Sequence, residues 1–120
     1  MSYTIVNNSK KTLMSFKVDG GLIVGAQETR CDYLIMFSHC RKAFFIELKN
    51  REWEKAVRQL KNTVSLLCNE MKEYTPHLRA VVRRGVPNTN YIPLMKLRKD
   101  IVSRYPGATL EVKAKFNDVV

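Results

Sequence analysis

The stretch CDYLIMFSHCRKAFFIELKN, residues 31–50, limits the possible folds of this chain more than any other. Its two apolar runs, 31–37 and 43–49, are rich in aromatic and branched residues and too short for globular helices, so they are expected to be strands joined by the polar connection SHCRK. Apolar residues on both faces of each run make them central strands, covered on both sides. A hairpin centred between His39 and Cys40 pairs positions whose numbers add to 79, which sets Asp32 across from Glu47. Their Cβ atoms would then stand about 4.5–5.5 Å apart. Lys49, two residues further along, shares the face of Glu47.

Three ionisable groups thus converge where apolar neighbours remove water. Two adjacent carboxylates repel and lose solvation there, so a proton or a cation must neutralise them, and Lys49 offsets one charge only. Mg²⁺, a hard ion that prefers oxygen ligands, suits Asp32, Glu47 and the carbonyl of Leu48. Such a site would activate water, with Lys49 orienting it, deprotonating it or steadying charge on an attacked phosphate. The plainer alternative makes Asp32, Glu47 and Lys49 ordinary surface residues at strand ends. A register shifted by one residue would also turn Asp32 to the opposite face.

The rest of the chain reads as a sheet with helices against it. TLMSFKV, residues 12–18, ends at the turn signal Asp19-Gly20-Gly21, and LIVGA, residues 22–26, is the expected returning strand. From Asn50 to Tyr74 the apolar residues Trp53, Val57, Leu60, Val64, Leu67 and Met71 recur at helical spacing, with Asn50 as cap, Glu52 and Glu54 in the first turn, and an end before Pro76. Residues 78–84 form the next strand and residues 85–88 a turn. A helix over 92–105 starts near Pro93, and a last strand covers 109–116, near a sheet edge. The expected class is α/β or α+β: one domain over residues 1–120, with a central mixed sheet flanked by helices.

The order of Asp32, a hydrophobic strand, Glu47-Leu48-Lys49 and a helix carrying Gln59-Leu60 resembles the PD-(D/E)XK nuclease superfamily, which includes restriction endonucleases and Holliday-junction resolvases. The resemblance covers about residues 20–85. It implies a restriction endonuclease-like core and hydrolysis of DNA phosphodiester bonds. It further implies Mg²⁺, with Mn²⁺ able to substitute, held by Asp32 and Glu47, with Lys49 as motif lysine and Gln59 beside the site. Cys31 stands where the name-giving motif has proline, and no acid precedes Asp19 to match the N-terminal glutamate of many members. Glu28 replaces it, or the site is a minimal triad, or activity has been lost. The last case gives the alternative reading: an inactive nuclease-fold protein that binds nucleic acid or a protein partner, of inhibitor or immunity type.

Charge fits a polyanion partner. Lys and Arg number 21 against 11 Asp and Glu, a formal net charge of +10. Arg51, Lys55 and Arg58 on the long helix, with Arg83 and Arg84, are the expected contacts to DNA or, less simply, RNA. So small a domain leaves little surface to enclose a duplex, which favours a homodimer. Neither a signal peptide nor a membrane span is evident, which places the chain in the cytoplasm, with Cys31, Cys40 and Cys68 as reduced thiols. His39 is expected in the turn between the two strands.

Overall fold

The computed structural model describes residues 2–6, 13–17, 32–49 and 51–119. Strands β2 (Leu13–Lys17), β3 (Tyr33–Phe37), β4 (Lys42–Lys49), β5 (Thr75–Val82) and β6 (Thr109–Lys113) form one sheet in that order. The β2–β3 and β3–β4 pairs are antiparallel, while β4–β5 and β5–β6 are parallel. The parallel pairs are bridged by helices α1 (Trp53–Leu67) and α2 (Ile92–Arg104). Strands β1 (Ser2–Val6) and β7 (Lys115–Val119) pair in parallel as a second, two-stranded sheet. The result is a small α/β domain with a mixed sheet flanked by helices.

Both helices cover one face of the five-stranded sheet. Val57, Leu60 and Val64 of α1 and Leu94 and Ile101 of α2 are buried against Phe45, Leu78 and Leu110. The opposite face carries Ile46 and Val81 under Phe116 of β7. Arg79 of β5 reaches from that face to Asp118, with Nε donating to Oδ2 at 2.8 Å, and its guanidinium lies 5.6 Å from the Phe44 ring centre. Beside it, His77 stacks on Phe44 at 5.2 Å, and its Nδ1 is 2.7 Å from Thr109 Oγ1.

Several boundaries differ from those the sequence suggests. The cap position of α1 belongs to Glu52, at φ 62°, and Asn50 lies outside the described residues. The helix stops at Leu67, where tight turns take over (Glu70 N to Leu67 O, Met71 N to Cys68 O) and bring Thr75 N round to Arg41 O at 2.8 Å. Met71 remains buried in the core although it is no longer helical.

That return lets β5 begin three residues earlier than expected and include Pro76. Thr75 N points to β4, so position 76 faces the other side, where pairing with β6 starts only at His77. The missing N–H therefore costs no ladder bond. The strand expected over 109–116 is broken at Ala114, its second half leaving as β7 to pair with β1, which has no counterpart in the sequence reading. Residues 19–26, with the expected turn and returning strand, lie outside the described residues, and β2 pairs with β3. No helix among the described residues is long and apolar enough to cross a membrane.

Candidate functional site

The β3–β4 ladder runs from Phe37↔Lys42 to Tyr33↔Ile46, the register in which paired numbers add to 79. His39 lies in the connecting turn. At the open end the pairing shifts by one. Asp32 N donates to Ile46 O at 3.0 Å, so residues 32 and 33 both lie against Ile46, the arrangement of a β-bulge, and Asp32 stands just outside the ladder rather than directly across from Glu47. Its carboxylate is still brought to the strand end, where Oδ2 accepts a hydrogen bond from Leu48 N at 3.0 Å.

Glu47 alternates with Ala43 and Phe45 along β4, so it points to the helix-covered face and is 1% exposed. Its Oε2 lies 3.2 Å from Lys49 Nζ, while Oε1 is buried with no hydrogen-bond partner among the described residues. Burial above all, and then the neighbouring Asp32 carboxylate, push the Glu47 pKa up to about 8, although Lys49 pulls the other way. The side chain is therefore protonated at neutral pH unless a cation joins it.

Lys49 O accepts from Arg83 N of the segment after β5 at 3.0 Å. Backbone groups alternate in direction along a strand, so those of Leu48 point away from β5, towards Asp32. Two carboxylates and the Leu48 carbonyl are thus gathered at the carboxyl end of β4. In open α/β sheets, that end is where ligands bind. Among the described residues no group of three or more His, Cys, Asp or Glu side chains is assembled. Glu28 lies outside those residues.

No family model, curated protein or solved structure matches this chain. The site is therefore argued from its own geometry. An orphaned buried carboxylate oxygen, a second carboxylate beside it and an all-oxygen donor set fit a hard divalent ion that keeps several of its waters.

The expected basic residues separate by position. Arg51, Arg83 and Arg84 are exposed and directly follow the carboxyl ends of β4 and β5, at the same end of the sheet as Glu47. Lys55 and Arg58 are exposed further along α1. None of these five makes an ion pair among the described residues, whereas Lys61 of α1 is held by Asp100 of α2 at 3.0 Å. Gln59 is half-buried on α1, and its carbonyl accepts from Thr63 Oγ1. Sequence reasoning did not single out Tyr91, half exposed at the amino end of α2, whose ring meets buried Trp53 edge-on at 6.2 Å. A lone aromatic beside Pro93 carries no periodic signal.

Proposed function

We propose that this protein is a metal-dependent nuclease that hydrolyses DNA phosphodiester bonds, with Asp32 and Glu47 as the carboxylate ligands of Mg²⁺ or Mn²⁺. The observation that carries the reading is the Glu47 carboxyl group, buried beside Asp32 with one oxygen unpartnered and Lys49 at 3.2 Å. Mg²⁺, when bound, supplies Lewis-acid polarisation of a phosphate and lowers the pKa of a water. The chain's own groups do the rest. Asp32 is oriented by Leu48 N, Glu47 is buried away from water, and the Lys49 ammonium stabilises charge that builds on the attacked phosphate. Arg51, Arg83 and Arg84 hold the flanking phosphates. The finer fold reading, a restriction endonuclease-like core, belongs with this proposal, because Asp32 just before β3, Glu47-Leu48-Lys49 at the end of β4 and Gln59 on α1 follow the order of that superfamily. A homodimer that cuts both strands accompanies it.

Incubation of duplex, single-stranded and branched DNA, and of RNA, with the protein and Mg²⁺ or Mn²⁺ tests the reading. Cleavage of DNA that is abolished in Glu47→Ala and reduced about 100-fold or more in Lys49→Ala is expected. Absence of cleavage, or cleavage indifferent to both substitutions, refutes it. Cleavage confined to RNA moves the site to another substrate. Sedimentation with DNA present reports the oligomeric state.

A further inference from the structure

The loop from β5 to α2 ends in an unusual surface. Tyr91 is 50% exposed and Ile92 65%, and Val86 earlier in the loop is also exposed. Such side chains gain nothing from water, yet their backbone is held firmly. Tyr91 N donates to Asn88 O at 2.9 Å, Met95 N donates to Tyr91 O at 3.0 Å, and Asn90 N donates to Asn88 Oδ1 at 3.0 Å. From below, Arg98 Nη1 donates to Thr89 O at 3.1 Å. The Tyr91 ring is steadied by Trp53 in a T-shaped contact, at an interplanar angle of 78°. A T-shaped contact covers at most one face of the Tyr91 ring and leaves the other available.

The topology fixes where this ring sits. The carboxyl ends of β4 and β5, the amino ends of α1 and α2 and the loop between β5 and α2 all lie at one end of the sheet. Tyr91 therefore shares that end with Glu47 and with the exposed Arg51, Arg83 and Arg84. A preset aromatic face among cations that have no carboxylate partner among the described residues complements a flat ring attached to phosphates. Aromatic stacking needs a base face free of stacked neighbours, which a single-stranded segment offers and the interior of a duplex does not.

We propose that Tyr91 is a stacking platform for an unpaired nucleobase, so that the preferred ligand is DNA with a single-stranded segment next to the site rather than a continuous duplex. Exposed Val86 and Ile92 flank the base, and the arginines take its phosphates. The inference rests on the nucleic-acid part of the reading above and not on cleavage.

The test is binding without metal, in EDTA. Fluorescence anisotropy is measured for a labelled single strand, the matching blunt duplex and the same duplex with a single-stranded flap. Tyr91→Ala is expected to weaken single-strand and flap binding about 5- to 150-fold, the loss of one stacked base, while duplex affinity holds. Tyr91→Phe retains the affinity, and Tyr91→Leu, which keeps apolar area without a ring face, loses it. An equal loss on all three ligands, or none, overturns the platform while leaving the nuclease reading intact. Failure of the unsubstituted protein to bind any nucleic acid at low salt removes both. If Ile92→Asp converts a dimer to a monomer with single-strand affinity unchanged, the patch is a contact between copies and the proposal falls.

Discussion

At Glu47 a buried carboxyl group keeps its proton far above the ordinary carboxylate range, and on the proposed reading a divalent cation would have to displace that proton. Its pKa rises from an ordinary 4.5 to about 8, so the folded protein holds a proton that the unfolded chain releases, and stability is lost as pH climbs through that window. The span is on the order of a few kcal/mol. His77 acts in the opposite sense. Burial first, and then Arg79, lower its pKa from 6.5 to about 4, so its contribution is present above 6.5 and lost as pH falls towards 4. Between 4.5 and 6.5 the two slopes oppose; between 6.5 and 8 only that of Glu47 remains. Urea titrations across this range should show stability declining above pH 6.5, with the decline absent in Glu47→Gln. In His77→Gln it should start near pH 4.5 without the opposing rise. Mg²⁺ at pH 8 should raise the Tm of the unsubstituted protein and leave that of Glu47→Gln unmoved.

At the scale of elements, the hydrophobic pattern alone located β3, β4, α1, β5 and α2, because each buries one stripe or both faces against the others. Local chemistry was less legible. Glu52 holds the α1 cap position at φ 62° with no side-chain cap bond, a conformation that an acidic side chain does not announce. Glu52→Gly should therefore stabilise the fold by about 0.5–1 kcal/mol in denaturant unfolding. The departure of β7 was equally hidden, since TLEVKAKF alternates evenly through Ala114. What holds β7 on the sheet involves Arg79 and Asp118, partners that lie far apart in sequence. Asp118→Ala leaves a buried guanidinium short of its carboxylate and is expected to cost about 2–4 kcal/mol, measured the same way. The candidate site was readable for a related reason: a central hairpin has one sensible register, and that register carries Asp32 and Glu47 to the same strand ends. The bulge at Asp32 depends on backbone pairing that no residue type encodes.

Across the whole molecule, the formal charge of +10 attracts any polyanion, and what distinguishes this protein is where its cations are left unclaimed. Arg41, Arg79, Arg98 and Arg104 are engaged with acids, whereas Arg51, Arg83 and Arg84 cluster at the carboxyl end of the sheet. If Arg51, Lys55, Arg58, Arg83 and Arg84 each meet a phosphate, log K for duplex DNA should fall against log salt with a slope of roughly −4 to −5. Arg83→Ala should make that slope shallower by about 1, and Lys72→Ala, exposed in the turns after α1, should leave it unchanged. The hydrogen bond from Leu48 N to Asp32 gives position 32 a structural duty of its own, as a clasp closing the end of the hairpin. A relative with no phosphate chemistry at all would therefore still favour an oxygen-bearing side chain there. Position 47, relieved of an awkward buried acid, would be free to drift to glutamine or leucine.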